Sequence, residues 1–246
     1  MSSVRRWDAL TREEIGALAP DALLVVPVGS TEQHGPHLAT GTDALLAAEL
    51  AERGAAAAAR PETILLGPTL AYGASDHHLP FGGTLSLTAT TFQLVLRDLL
   101  ASAASAGVRR VFLLNGHGGN AAACGTAAVE AAREHGLVAA TAMASDLVDP
   151  KEIEGPLHGH AGSFETSLML ALDPDRVRPE LARPSPGGAA RRRPPGLVLA
   201  EPGRWQELDG FTDRPDEASR ERGERALAAC VAAVAAAFEQ LADTGA

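Results

Sequence analysis

The sequence is poor in cysteine, aromatic residues and positive charge, and each shortage argues against a class of protein. Two cysteines, Cys124 and Cys230, are too few and too far apart for a disulfide framework, which favours a reducing cytoplasm. Aromatic residues make up only 4% of the chain, too few for a protein that works by stacking on bases. The formal net charge of −10 argues against nucleic acid or an anionic membrane as a partner.

Long apolar runs are also missing. No run reaches the roughly 20 residues that cross a bilayer, and the N-terminus lacks the apolar region of a signal peptide. The remaining composition, 46% hydrophobic and 21% charged, is ordinary for a globular protein. A length of 246 residues suits one domain, over 1–246, with a full hydrophobic core.

Short apolar runs alternate with helical patterns along the chain. Buried strands are predicted at Leu23–Val28, Thr63–Leu66, Arg110–Leu114 and Leu137–Ala144, with an edge strand or hairpin at Gly83–Thr88. Helices are predicted at Asp43–Arg53, Thr90–Ala106, Ala121–His135, Ser163–Leu172 and Glu217–Leu241. This alternation predicts an α/β fold, with an open, mainly parallel sheet and helices on both faces.

Residues 173–215 interrupt the alternation with many Pro, Gly and Arg residues. The segment is long for a connection inside a compact domain, which suggests a lid, an oligomer contact or a loop around a site. Within it, Arg191–Arg193 suits either an anion contact or a solvated loop.

Five potential metal ligands fall into three clusters near the predicted strand ends. Glu32 and His34 follow the first strand two residues apart, so in an extended segment both side chains face one cavity. Asp43 lies at a helix start, where the dipole favours its ionised form. His117 follows the third strand, and Glu165 lies in the first turn of a later helix. Because sites in such sheets form at the carboxyl ends of strands, we expect these groups to meet.

Other polar residues near these ends are candidates for proton transfer and substrate contact. His160 lies just before a predicted helix start, where it is placed to shuttle protons. Ser75 and His78 belong to a polar loop that is either a substrate contact or a surface turn. Gly118 is a further predicted substrate contact. The segment Gly116–Ala121 loosely matches a dinucleotide fingerprint, although an imidazole in its second position suits a ligand loop better.

Three motifs resemble the creatininase (creatinine amidohydrolase) family. They are Val26-Pro-Val-Gly-Ser-Thr-Glu-Gln-His-Gly-Pro-His-Leu38 with Thr42-Asp43, Asn115-Gly-His-Gly-Gly-Asn120, and His160-Ala-Gly-Ser-Phe-Glu-Thr-Ser167. The resemblance runs from about residue 5 to 240. It implies a three-layer α/β/α sandwich, a two-metal site and commonly a hexameric assembly.

The resemblance also implies roles for individual residues. Glu32 and His117 would bind one metal, His34 and Glu165 the other, and Asp43 would bridge them. His160 matches the family's catalytic histidine.

The chain departs from the enzymes that open creatinine at two places. Those enzymes carry Tyr-Glu after the motif histidine, with the Glu as a metal ligand, whereas this chain has Gly118 and Gly119. Their pocket is walled by tryptophans, whereas Trp7 and Trp205 here lie in other regions of the sequence. Creatinine is therefore not the expected substrate. The Gly-Gly form resembles members with other substrates, such as the creatininase-like peptidase of mycofactocin maturation and certain formamide hydrolases.

The sequence thus predicts a cytoplasmic, metal-dependent hydrolase that cleaves a non-peptide or cyclic C–N amide bond of a small molecule. Two divalent ions (Zn, Mn or Fe) would activate water, with His160 passing the proton to the leaving nitrogen. A homo-oligomer, such as the hexamer common in the family, is expected. The alternatives are a peptidase trimming a short modified peptide, a non-catalytic relative that binds metal or ligand and, more remotely, a nucleotide-binding module.

Overall fold

The computed structural model describes residues 4–188 and 199–244. Within these ranges one sheet has the strands β1 (Arg5–Arg6), β2 (Leu23–Val28), β3 (Ile64–Leu66), β4 (Arg110–Asn115) and β5 (Val138–Met143). The strand order is β1-β3-β2-β4-β5 and every pair is parallel. The chain leaves β2 toward β3 on one side and returns to β4 on the other. The carboxyl ends of β2 and β4 therefore flank a topological switch point, the place where open parallel sheets form sites.

Helices cover both faces of the sheet. They are α1 (Arg12–Leu18), α2 (Thr42–Ala57), α3 (Ala89–Ser105), α4 (Ala121–His135), α5 (Ala144–Leu147), α6 (Ser163–Leu172), α7 (Arg204–Glu207) and α8 (Arg220–Ala242). In β4, Val111 and Leu113 join the core beneath α3 and α4, whereas Phe112 and Leu114 join the core beneath α2, α6 and α8. Successive side chains of a strand thus point to opposite faces of the sheet and pack into two separate cores. The predicted three-layer α/β/α sandwich is confirmed.

Most element bounds agree with the sequence prediction, and local chemistry accounts for the differences. The bounds of β2, α4 and α6 agree residue for residue. The last helix begins later than expected because Ser219 caps it, with its side chain accepting from the backbone N–H of Arg222. The prediction missed α1, although Thr11 and Glu14 form a capping box before it.

The edge strand predicted at Gly83–Thr88 is wrong. The segment makes one isolated antiparallel bridge, between Thr31 and Leu85, and no ladder. Gly82 and Gly83 have φ of 77° and 69°, a left-handed geometry that turns the chain out of an extended path.

The long helix α8 satisfies the length and composition test for a membrane span. In this fold it packs against α2 and α6, and Val234 and Phe238 are wholly buried in the core. A core helix of a globular protein passes the same test, so α8 gives only weak evidence for a membrane span.

The segment 173–215 consists of short turns where it is described. Val177 forms a bridge to Leu38. Residues 199–213 include α7, and Gly210 and Thr212 then bond to Gln33 and to the backbone of His160. The predicted basic run Arg191–Arg193 lies outside the described residues.

Candidate active site and metal centre

The five predicted ligands come together in one cluster at the carboxyl ends of β2 and β4, where four are buried and Glu165 is partly buried. Asp43 lies at its centre, because its two carboxylate oxygens face two different histidines. Oδ1 is 2.9 Å from Nε2 of His34, and Oδ2 is 3.1 Å from Nδ1 of His117. Glu32 Oε1 is 3.2 Å from the same His117 nitrogen. This arrangement is the one expected of a carboxylate between two cations.

The cluster divides into overlapping groups of three. Ligand atoms within each group lie within 4.8 Å of one another in Glu32–Asp43–His117 and in His34–Asp43–Glu165. A third group, Glu32–His34–His160, meets the same limit. Asp43 is thus shared by the first two groups, while His160 lies close enough to contact the centre.

Two glycines at the strand ends let the first turn of α2 approach the sheet. A Cβ at Gly29 would lie 2.4 Å from the Cα of Ala44, and one at Gly116 would lie 2.6 Å from the carbonyl oxygen of Asp43. Neither distance is compatible with a side chain. These glycines therefore bring Asp43 between the groups that follow β2 and β4.

Several buried polar atoms of the cluster lack a hydrogen-bond partner. Among the residues that the structure describes, these include both Glu32 carboxylate oxygens, Oδ2 of Asp43 and Nε2 of His78. A buried carboxylate without partners is strongly destabilising, because it has lost its hydration. Bound cations would compensate these oxygens, so the residues present fit a metal centre.

Hydrogen bonds to backbone carbonyls assign the tautomers of three histidines. His34 Nδ1 is 3.1 Å from the carbonyl oxygen of Glu32, and His117 Nε2 is 3.1 Å from that of Ala74. His160 Nε2 is 2.8 Å from the carbonyl oxygen of Gln33. Since a carbonyl only accepts, each of these nitrogens carries the proton. In His34 and His117 the other ring nitrogen faces carboxylate oxygens, so a proton or a cation must lie between them.

His78 is oriented in the opposite sense. The Gln33 side-chain amide is fixed by backbone groups: Nε2 donates to the carbonyl of Gly210 at 2.7 Å, and Oε1 accepts from the N–H of Gly35 at 2.9 Å. The remaining amide hydrogen points to His78 Nδ1 at 2.8 Å. His78 therefore carries its proton on Nε2, which lies 3.5 Å from Glu32 Oε1. It presents a donor to the cluster rather than a lone pair.

Burial and mutual charge set the pKa values of the cluster. Burial opposes a charged His34 ring, but the charge and hydrogen bond of Asp43 prevail and raise its pKa to about 10. Burial raises the pKa of Glu165 to about 7, although the charge of His34 acts to lower it. The pKa of His160 is well below its usual value, because burial and the charge of His34 disfavour a second cation. His160 is thus neutral beside a charged cluster.

The family model described as "Creatininase: Creatinine amidohydrolase" matches residues 8–238. The chain belongs to the creatininase family. Its expected identity as a hydrolase is confirmed at that level, since both the model and the curated relatives are named as hydrolases.

Curated creatininase relatives carry two different activities. The mycofactocin precursor peptide peptidase of Mycobacterium tuberculosis (strain ATCC 25618 / H37Rv) is 34% identical over 233 residues, covering 90% of this chain and 85% of that protein. The creatinine amidohydrolase of Pseudomonas putida is 33% identical over 249 residues, covering 92% of both. The match to the Mycolicibacterium smegmatis peptidase covers 68% of this chain and 64% of that protein, slightly less than two thirds.

Solved creatininases share the fold over nearly the whole chain. A variant described as Zn–Zn type superposes with a TM-score of 0.81 at 32% identity, covering 98% of this chain and 99% of that one. A structure described as creatininase Mn gives 0.80 at 31% identity, with 97% and 99% coverage. These neighbours carry Zn or Mn, and the oxygen and nitrogen groups of this creatininase relative suit the same ions.

The departure at Gly119 is built into the structure of this family member. A Cβ there would lie 2.3 Å from the carbonyl oxygen of Ala74 and 2.4 Å from Nε2 of His117. A carboxylate-bearing residue therefore cannot occupy this backbone position without displacing His117. A Cβ at Gly118 would meet no atom within 4 Å. The two glycines thus differ: Gly119 is needed for packing, and Gly118 borders open space.

Sequence reasoning assigned Trp205 to another region, and the structure brings it to the site. Its ring centroid lies 4.6 Å from that of His78 and 5.5 Å from those of His77 and His160. Gly210, just beyond it in the chain, is held by Gln33. No local motif signals these contacts. The one signal in the sequence was that tryptophan is rare in this chain, which has only two.

The predicted substrate contacts lie in different surroundings. Ser75 is wholly buried and contacts Nε2 of His117 at 3.2 Å, with Ser30 as its other hydroxyl neighbour. His78 is buried against His160, with ring centroids 4.1 Å apart. Gly118 lines a cavity next to the cluster. Their roles toward a substrate stay predictions.

Proposed function

We propose that this creatininase-family hydrolase uses two divalent cations to cleave a C–N amide bond that is non-peptide or cyclic. The position of Asp43 supports this proposal, since each of its carboxylate oxygens faces a different histidine at 2.9 and 3.1 Å. Glu32 and His117 would hold one ion, His34 and Glu165 the other, and Asp43 both. Bound there, the ions would lower the pKa of water and polarise the substrate carbonyl.

The remaining groups of the site would move or hold protons. His160 is neutral and has an unprotonated Nδ1 facing Glu32 Oε1 at 3.3 Å, so it can take a proton there. It can then deliver that proton to the leaving nitrogen, as a general acid does. His78 Nε2–H would donate to Glu32 or to a substrate oxygen. Ser75 would orient His117 by accepting from its Nε2–H, and Gly118 would border the substrate.

Peptide cleavage is a second candidate function. It is favoured by the 34% identity to a mycofactocin precursor peptide peptidase over 90% of this chain. The glycines at 118 and 119 also leave the rim of the site without the Tyr-Glu pair expected in creatinine-opening enzymes. We further propose the cytoplasmic location, the single domain over 1–246 and a homo-oligomer such as a hexamer.

The test combines metal analysis with turnover. Purified protein should contain about two Zn or Mn ions per chain, as two-metal hydrolytic sites require. Turnover would then be assayed on cyclic amides, formamides and C-terminal dipeptides by following the released amine. Cleavage of dipeptides alone would move the assignment to a peptidase. Full metal occupancy without turnover of any substrate would indicate a non-catalytic relative.

A further inference from the structure

A cavity of about 210 Å³ opens directly beside the metal cluster. Its lining includes four residues of the site, Asp43, His117, His160 and Glu165. It also includes apolar side chains, and we call the part of the cavity that they line the apolar chamber: Leu46, Leu114, Met143, Leu157, Phe164 and Leu168. A molecule bound with its reacting atoms at the cluster would extend its next group into this chamber.

The apolar chamber borders one of the two hydrophobic cores. Leu46, Leu114 and Leu168 are buried to 6%, 0% and 2% exposure and belong to the core beneath α2, α6 and α8. Protein interiors normally fill such space, because an empty apolar cavity forfeits dispersion contacts. A cavity of this kind next to a cluster of perturbed titratable groups is typical of a ligand site.

The charges around the cavity restrict what can enter. Its lining, which lies entirely in the described part of the chain, contains no Lys or Arg. Its acidic groups, Asp43 and Glu165, belong to the cluster, and His158 is its one titratable group outside the cluster apart from the buried thiol of Cys230. A carboxylate or phosphate among the apolar side chains would therefore be desolvated with no ammonium or guanidinium group beside it, which is unfavourable. A branched aliphatic or phenyl group would bury its surface there at no such cost.

The rim of the cavity is open on the side of Gly118. This residue lines the cavity, and a Cβ there would meet no atom within 4 Å. A substrate group next to Gly118 would therefore meet no side chain of that residue.

We propose that the apolar chamber binds an uncharged, branched or aromatic substituent directly attached to the scissile amide of the substrate. The proposal rests on the proposed function, and it adds the substrate class. The substrate would carry a leucine-sized or phenyl-sized apolar group next to the amide, and small polar amides would be poor substrates.

The proposal can be tested by comparing the affinities of hydroxamic acids with different tails for the Zn-loaded protein, measured by titration calorimetry. 4-Methylpentanohydroxamic acid should bind on the order of 10- to 100-fold more tightly than acetohydroxamic acid, because its tail is buried. The monohydroxamate of succinic acid, of similar length but anionic, should show no gain. Equal affinities for all three would overturn the proposal. Failure of acetohydroxamic acid to bind would instead count against the proposed metal function.

A filling variant and an apolar probe supply tests that do not depend on the hydroxamate. Leu157→Trp should remove the gain of the branched tail and keep the affinity for acetohydroxamic acid. Retention of the gain would contradict the chamber as its source. Toluene should also raise the melting temperature of the metal-free protein, and this rise should disappear in Leu157→Trp. No shift in the parent protein would refute an accessible apolar chamber, whatever the metal content.

Discussion

The two sides of the candidate site are built in different ways. On the strand-end side, Glu32, His34, Asp43 and His117 follow β2 and β4 or begin α2, and all are buried. On the loop side, Trp205 and Gly210 come from a segment outside the sheet. Gln33 Nε2 donates to the carbonyl of Gly210, and the backbone N–H of Thr212 donates to the carbonyl of His160. The sheet thus fixes four of the five groups proposed to hold metal, and a loop supplies a wall, which is the usual division between scaffold and selectivity.

If this division is correct, changes on the strand-end side should have larger effects than changes on the loop side. The largest effect is expected for Asp43→Ala. Because Asp43 is shared by both groups of three, the variant should lose both metals and its turnover should fall to background. Metal analysis by mass spectrometry, together with the turnover assay, measures both effects. Retention of one tightly bound ion per chain would show that Asp43 does not bridge.

His160→Ala should separate metal binding from proton transfer. We expect this variant to keep its metals and to lose about 10²- to 10⁴-fold in turnover, the usual contribution of a general acid–base. A matched His135→Ala variant, changed at an exposed helix end, should behave as the parent protein. Full activity in His160→Ala would exclude the proton-shuttle role.

A smaller effect on metal affinity is expected for a change at Gly119, and the neighbouring Gly118 provides a matched control. Gly119→Ala places a Cβ 2.4 Å from Nε2 of His117 and should weaken metal affinity by roughly 10- to 100-fold, as changes that misorient ligands do. Gly118→Ala is the control, because its Cβ meets no atom within 4 Å. Competition with a chromogenic chelator would measure both. Equal affinities in the two variants would show that His117 tolerates the displacement.

The smallest effect is expected on the loop side. Trp205→Ala should leave the metal content unchanged and lower kcat/KM mainly by raising KM, by about tenfold or less, because only an aromatic contact is lost. Trp205→Phe should recover most of this loss. Loss of metal in Trp205→Ala would mean that the loop side also holds the centre, and the distinction between the two sides would fail.

The same division explains what could be predicted from the sequence. Apolar runs such as Leu23–Val28 identify buried strands, and parallel strands bring the residues that follow them to one edge. His34 and His117 could therefore be expected to meet although they are far apart in the chain. The position of Trp205 depends on the path of residues 173–215, which no periodicity encodes. The edge strand predicted at Gly83–Thr88 is absent, because the alternation of residue types does not reveal the turn at Gly82 and Gly83.

The paired arrangement of carboxylates and imidazoles has a consequence for how the protein acquires its ions. Without metal, the raised pKa values of His34 and His117 mean that both rings hold an extra proton at neutral pH. These charged rings stabilise the metal-free fold fully below pH 6.5, and the contribution of His34 is lost as the pH rises through about 10. Because ligands must be deprotonated, each ion that enters must expel protons, and metal affinity should increase with pH. In unbuffered solution, metal uptake would therefore be recorded as a release of acid.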